Sequence, residues 1–78
     1  SGKRTAVVTP WQRGKQARIP MIAEPGETGR VVAHLEPGVI GEIQVCNGEW
    51  CKMAVAGRRG WVEQSLLWGV YPGETIAD

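Results

Sequence analysis

Short runs of alternating hydrophobic and polar positions, each followed by a turn, dominate the chain. Such period-two runs are typical of β-strands, because successive side chains of a strand point to opposite faces of a sheet. No stretch places hydrophobic residues at helical spacing over several turns. The pattern therefore predicts an all-β fold built from short strands.

The predicted strands are separated by turns rich in glycine, proline and asparagine. Glu36–Gly38 has the proline and glycine of a type II turn, and Asn47-Gly48 is a strong hairpin signal. A further turn is predicted at Gly57–Arg59, with both arginines solvated. The predicted strands are Thr5–Val8, Ala17–Ala23, Arg30–Leu35, Val39–Cys46, Trp50–Ala56, Gly60–Val62 and Trp68–Glu74, with one turn of 3₁₀ helix at Glu63–Leu67.

One proline and the length of the chain decide how the predicted domain is divided. Pro20 makes Ala17–Ala23 an edge strand or a bulged strand, because proline cannot donate a hydrogen bond to a neighbour. A chain of 78 residues holds one domain. We predict an N-terminal extension or edge strand over 1–16, a small partly open barrel of five to seven strands over 17–72, and a polar tail over 73–78.

Charge and composition exclude several classes of function. The chain carries 9 basic and 8 acidic residues, so it has no field of one sign to attract nucleic acid. No apolar run approaches the ~20 residues that span a bilayer. No paired-carboxylate motif, nucleophile–base arrangement or phosphate loop is present. We expect no enzyme, no cofactor, no nucleic-acid partner and no membrane insertion.

The two cysteines, Cys46 and Cys51, leave two alternatives open, a hairpin disulfide or two free thiols. With only His34 beside them they are too few for a zinc site, so no metal is expected. If Ile43 and Val45 face the core, alternation turns Cys46 outward, whereas a four-residue loop sets the cysteines directly opposite. A bulge at the loop would reconcile the two, and we favour the disulfide for so small a domain.

The aromatic residues supply the candidate binding groups. Alternation turns Trp50 outward beside Lys52, and it turns Trp61 outward on the next strand because Val62 faces the core. Two outward indoles can stack on a sugar or grip a peptide, or they can cover each other and the end of the barrel. Trp68 and Tyr71 close the barrel with the tail or form an interface patch.

Three motifs follow one another within Ala17 to about Tyr71: V-x-x-L-x-P-G, then C-N-G-E-W-C-K-M, then G-x-x-G-W-V-x-x-S-L-L. This ordered set resembles the bacterial SH3-like family, SH3b. Many members carry an Asn-Val-Arg-like stretch in the first core strand, and here Ala23 stands in place of the arginine. The matching residues are Val32, Leu35, Pro37, Gly38, Gly48, Trp50, Gly57, Gly60, Trp61, Val62, Ser65, Leu66 and Leu67.

The resemblance implies a five-stranded, partly open barrel and a non-catalytic binding module of a bacterial envelope or exported protein. Such domains are thought to bind cell-wall material or peptides, so peptidoglycan or a peptide is the expected partner, through Trp50, Trp61 and Lys52. A periplasmic or extracellular location is expected, with the signal peptide outside this sequence. The alternatives are a structural or self-association module using Trp68 and Tyr71, and an accessory domain of a cell-wall hydrolase.

Overall fold

Eight strands and one turn of 3₁₀ helix follow one another along the chain, in a computed structural model that describes residues 4–8, 18–26, 29–71 and 73–77. The all-β prediction is confirmed, and so is the 3₁₀ turn, which lies at Gln64–Leu66. The strands are β1 Arg4–Val8, β2 Ile19–Ile22, β3 Val31–Leu35, β4 Ile40–Asn47, β5 Trp50–Val55, β6 Arg58–Glu63, β7 Leu67–Trp68 and β8 Thr75–Ile76.

The strands form one antiparallel sheet in the order β3-β2-β6-β5-β4-β1-β7, with β8 paired to β4. Within the described ranges the end strands β3 and β7 do not pair with each other, so the barrel is partly open, as predicted. The count exceeds the predicted five to seven strands, because two short strands take the place of the predicted strand Trp68–Glu74: β7 ends at Trp68 and β8 begins at Thr75. Each has two residues, too few to leave an alternating pattern in the sequence.

Both chain ends are more tightly built into the sheet than the sequence indicates. β1 lies between β4 and β7, with Thr5 opposite Glu42 and Val7 opposite Trp68, so it is not an edge strand. Residues 9–17 lie outside the described residues. The segment expected to be a polar tail contains β8, where Ile76 pairs with Cys46 and packs against the core.

Two local predictions are refined by the pairing. β2 has neighbours on both sides, so the edge alternative is wrong, and a register shift between Met21 and Ile22 makes it a bulged strand. The turn before β6 is also earlier than predicted. It consists of Ala56 and Gly57, with φ of 50° and 81°, and Arg58 already begins the strand. Positive φ at both positions matches the twist of a tight hairpin.

Cys46 and Cys51 form a disulfide that joins β4 to β5, as favoured from the sequence. The bulge that makes this possible lies inside β4 rather than at the loop. Ile43 pairs with Met53 and Val45 with Lys52, so Gln44 is an extra residue. Beyond the bulge the alternation shifts by one position. Cys46 is therefore buried, whereas Val45, expected in the core, is half-exposed.

The core lies on the inner face of the sheet. Gly60 on β6 is needed there, because a Cβ at this position would lie 2.3 Å from Cγ of Met21. The buried cluster consists of Ala6, Val8, Ile19, Met21, Leu35, Ile43, Cys46, Cys51, Met53, Val55, Val62, Leu66, Leu67 and Val70.

Candidate functional site

The outer face of β5 and β6 carries the aromatic residues singled out from the sequence. Cross-strand partners share a face, so the pairs Trp50–Glu63 and Lys52–Trp61 place both indoles outward on neighbouring strands. Cys51, which lies between Trp50 and Lys52 on β5, is fully buried. Both tryptophans are half-buried rather than fully exposed.

The hairpin tip between β4 and β5 fixes the position of Trp50. The side-chain oxygen Oδ1 of Asn47 accepts hydrogen bonds from the backbone N–H groups of Glu49 at 2.9 Å and Trp50 at 2.8 Å. An asparagine side chain that folds back on the next residues in this way stabilises a tight turn. The carbonyl of Glu49 then accepts from the N–H of Gln64 at 2.9 Å, which ties the tip to the 3₁₀ turn.

A cleft of about 560 Å³ opens beside Trp50, between the hairpin tip, the loop after β2 and the 3₁₀ turn. We call it the Trp50 cleft. Among the described residues, the charged ones that line it are Glu49 and Glu63, and no basic one does. The net charge of the whole chain is +1, so this cleft is a local exception. The other lining residues are Gly26, Gly48, Trp50, Gln64, Ser65 and Gly73.

Gln64 is the buried polar residue of the site, only 2% exposed. Its Nε2 donates to the carbonyls of Tyr71 at 2.9 Å and Glu74 at 2.7 Å. Two carbonyl partners fix which end of the amide is the nitrogen. The oxygen Oε1 has no hydrogen-bond partner among the described residues. The Trp50 cleft is thus lined by two carboxylates and by a residue whose buried acceptor lacks a donor.

Only part of the predicted ligand set meets at this cleft. Trp50 lines it, whereas Lys52 and Trp61 lie farther along the same outer face and do not. Trp61 pairs instead with Ile22 of β2. The sequence analysis missed Glu49, Glu63 and Gln64. The register of the β5–β6 hairpin is the sequence signal that could have revealed Glu63, because a turn at Ala56-Gly57 sets Glu63 directly opposite Trp50.

A second cleft, of about 430 Å³, lies beside β7, and we call it the Trp68 cleft. Trp68 is 64% exposed and Tyr71 is 76% exposed. Neither side chain closes the barrel, so the alternative in which they close it with the tail does not hold. The buried Leu67 and Val70 take that role. The cleft is lined by Arg4, Leu67, Trp68, Gly69, Val70 and Tyr71.

An ion pair between the two chain ends supports the Trp68 cleft. Arg4 binds Glu74 through two hydrogen bonds, Nη1 to Oε2 at 2.6 Å and Nη2 to Oε1 at 2.9 Å. Nη2 also donates to the carbonyl of Gly69 at 2.9 Å. The hydrogen bond from Arg4 lowers the pKa of Glu74 below its ordinary value, with a further contribution from the N–H of Tyr71. The same contact raises the pKa of Arg4.

Two further searches concern the described part of the chain alone. No three side chains of the types histidine, cysteine, aspartate or glutamate come together there in a way that could hold a metal ion. No helix there has the length and apolar character that crossing a membrane requires.

The sequence model of one protein family matches the chain. The family is described as the bacterial SH3 domain, and the match runs over residues 15–69, more than half of the chain. It includes β2 to β6, the 3₁₀ turn and β7, and therefore most of the lining of the Trp50 cleft but only half of the lining of the Trp68 cleft. No curated protein and no solved structure matches the chain.

Proposed function

The chain belongs to the bacterial SH3 domain family, and on this premise we propose that it is a non-catalytic binding module whose Trp50 cleft takes a cell-wall peptide that carries a free amine. The family supports a small binding module. The cleft supports the class of ligand, by the chemistry of the groups that line it.

The observation that carries the proposal is the combination of groups around Trp50. An indole face attracts a cation by roughly 0.5–1 kcal/mol at an exposed site, and more when water is excluded. Glu49 lines the same cleft, and a carboxylate forms strong charge-assisted hydrogen bonds with an ammonium group. Trp50 and Glu49 together favour a ligand that brings N–H donors and positive charge.

The three glycines of the cleft favour a peptide over a bulkier ligand. Gly26, Gly48 and Gly73 have no side chain to fill the space between the loops, so an extended peptide backbone can approach the walls closely. Bacterial wall peptides are short, and those with a diamino acid carry a free amine. A peptidoglycan peptide therefore fits both the shape and the charge of the cleft.

The disulfide supports a location outside the cytosol. Disulfides persist in oxidising compartments and are rare where glutathione keeps thiols reduced. Cys46 and Cys51 are joined and buried at 3% and 0% exposure. We therefore propose a periplasmic or extracellular site of action, where peptidoglycan is accessible.

The test is calorimetric titration with the synthetic tripeptide Nα-acetyl-L-Ala-γ-D-Glu-L-Lys, in which the lysine side chain carries the one free amine, and with its Nε-acetylated form. We expect the free amine to bind at least tenfold more tightly, because acetylation removes the charge and two of the three N–H donors; tenfold corresponds to about 1.4 kcal/mol. Trp50→Ala should weaken binding of the free tripeptide by at least the same factor. Trp68→Ala is the matched control, an exposed tryptophan outside this cleft, and should leave the affinity unchanged.

Two results would contradict the proposal. Equal binding of the two tripeptides would show that the amine is not recognised. Binding that survives Trp50→Ala in a folded protein would place the peptide elsewhere, and Trp61→Ala would then test the remaining outer face. Circular dichroism of each variant separates a loss of contact from a loss of fold.

A further inference from the structure

The Trp68 cleft has no part in the peptide site described above, and we propose that it is a second binding site, for an uncharged sugar ring of a glycan. The inference stands on three observations: the exposure of the aromatic pair, the rigid way in which the pair is held, and the cancellation of charge around it.

The aromatic pair is strongly exposed and lies at the end strand β7 of the sheet. Trp68 and Tyr71 are 64% and 76% exposed, and both line the same cleft. Between them in sequence, Val70 is buried at 6% and forms part of the core. Aromatic side chains with an apolar face and a polar edge are well suited to binding, since they can stack on a ligand and still donate a hydrogen bond.

The backbone around the pair is fixed before any ligand arrives. Trp68 lies in β7 and pairs with Val7 of β1. The N–H of Tyr71 donates to Oε1 of Glu74 at 2.9 Å, and its carbonyl accepts from Gln64 at 2.9 Å. Because its backbone N–H and its carbonyl are both already hydrogen-bonded, Tyr71 loses little further conformational freedom on binding, which favours affinity.

Gly69 shows how closely this segment is packed on β1. Its φ is +111°, and a Cβ there would lie 3.2 Å from the carbonyl oxygen of Thr5. A side chain at this position would be strained by the backbone angle and would push the segment away from β1. The segment that carries Trp68 and Tyr71 is thus held against β1.

The charges beside the pair cancel. Arg4 lines the cleft, and its guanidinium is held by both oxygens of Glu74. Their side chains are 39% and 23% exposed, so the pair is accessible at its edge. Arginine has five N–H donors, and three hydrogen bonds to Glu74 and Gly69 leave donors over. The Arg4–Glu74 pair therefore offers hydrogen-bond donors and acceptors without a net charge, which suits hydroxyl groups because they both donate and accept.

A neutral sugar ring fits these features better than the other occupants. An anionic lipid headgroup or a carboxylate ligand would have to compete with Glu74 for Arg4. A second copy of this chain would bury Trp68 and Tyr71 without needing the fixed polar edge. A pyranose ring has C–H groups on one face to stack on an indole and hydroxyl groups at its rim to meet the Arg4–Glu74 pair.

The test uses the soluble N-acetylglucosamine trimer as probe, with tryptophan fluorescence and NMR chemical shifts as readouts. We expect shifts at the Trp68 indole and at Tyr71, and a loss of affinity of at least fivefold in Trp68→Ala and in Tyr71→Ala. Both residues are exposed, so the variants should stay folded. Trp50→Ala is the control and should bind the trimer as the unchanged protein does.

Several results would overturn the proposal. No binding of the trimer at millimolar concentration would do so, as would binding that Trp68→Ala leaves intact. Sedimentation that shows a dimer dissociated by Trp68→Ala, without sugar binding, would assign the surface to a second copy instead. Binding to phosphatidylglycerol vesicles that is lost in the same variant would assign it to a membrane surface. The tripeptide titration is separate from all of these, so either site can fail alone.

Discussion

The Trp50 cleft and the Trp68 cleft each contain one exposed or half-buried tryptophan of the sheet, yet they are built in different ways. Trp50 belongs to a six-residue strand in the middle of the sheet and is half-buried. Trp68 belongs to a two-residue strand at the end of the sheet and is mostly exposed. The first is part of the barrel's own architecture, whereas the second depends on contacts between the chain ends.

Charge separates the two clefts as clearly as position does. Two glutamates, Glu49 and Glu63, line the Trp50 cleft, while Arg4 and Glu74 neutralise each other beside Trp68. What the clefts share is Gln64, which lines the first and holds the backbone of Tyr71 in the second. The buried side-chain amide of Gln64 thus contacts two chemically distinct surfaces of one small sheet.

The largest effect is expected for Gln64→Leu, because this change should damage both clefts at once. It removes two hydrogen bonds and leaves the carbonyl of Glu74 without the Gln64 donor, whereas the carbonyl of Tyr71 keeps the N–H of Glu74 at 3.0 Å. An unsatisfied buried polar group costs about 1–3 kcal/mol. We expect the free energy of unfolding to fall by that order, and both probes to bind more weakly. Urea denaturation and the two titrations measure this.

Ser65→Ala is the matched control for that variant, because Ser65 lies in the same 3₁₀ turn and is exposed. It should leave stability nearly unchanged. If Gln64→Leu weakened one probe and left the other unaffected, the two clefts would not share this support.

The next largest effect is expected when the disulfide is removed by Cys46→Ala with Cys51→Ala. Loop-closure entropy for so short a ring corresponds to about 2 kcal/mol, or a fall in Tm of roughly 10 °C for a domain of this size. The bridge stands at the base of the hairpin that carries Glu49 and Trp50, so peptide affinity should fall more than sugar affinity.

Thermal unfolding with and without reductant checks this prediction. The unchanged protein should lose stability on reduction, and the double variant should be insensitive to the reductant. Equal losses of affinity for the two probes would contradict the assignment of the hairpin to the Trp50 cleft alone.

A smaller, pH-dependent effect is expected at the Trp68 cleft. The pKa of Glu74 is lowered in the folded protein by Arg4 and by the N–H of Tyr71. A lowered folded pKa means that the stabilisation is present above the unfolded value, about 4.3, and is lost as the pH falls through the folded value. Sugar affinity should therefore be constant from neutral pH down to the ordinary pKa of a glutamate and should fall only at lower pH, as Glu74 in the folded protein becomes protonated.

Titration of the trimer from pH 7 to pH 3 measures this effect, with Glu74→Gln as the control. That variant cannot form the ion pair, so its affinity should be lower at neutral pH and should no longer decline as the pH falls. An unchanged pH profile in Glu74→Gln would assign the decline to another group.

The smallest effect is expected for Lys52→Ala. Lys52 shares the outer face with Trp50 but does not line its cleft. The affinity for the free-amine tripeptide should stay within about twofold, which corresponds to about 0.4 kcal/mol. A tenfold loss in the same titration would extend the binding site along the strand to Lys52 and Trp61.

The sequence predicts the fold well because its signals are local. Turns such as Glu36–Gly38 and the alternation of Cys51, Met53 and Val55 need only neighbouring residues to be recognised, and the structure has both. The 3₁₀ turn is also indicated by a short stretch, and it lies where that stretch predicts it.

The candidate site is harder to predict, because it depends on register and on contacts distant in sequence. A turn placed at Gly57–Arg59 would set Trp50 opposite Leu66, whereas the actual turn at Ala56-Gly57 sets it opposite Glu63. The pair of Arg4 and Glu74 is separated by 70 positions, and no local pattern indicates it. Only assembly of the sheet brings these groups together.

The bulge in β4 has a consequence for how the length of this chain can change. Upstream of Gln44 the strand pairs with β1, and downstream it pairs with β8. Removal of Gln44 would leave a regular ladder in which Ile43 and Cys46 still face the core, because the strand alternates with period two. In a regular ladder a second inserted residue would keep Cys46 on the core face but would move it two positions past Cys51, so the two could no longer be joined. We therefore expect related chains to tolerate a one-residue deletion at this point and to resist an insertion.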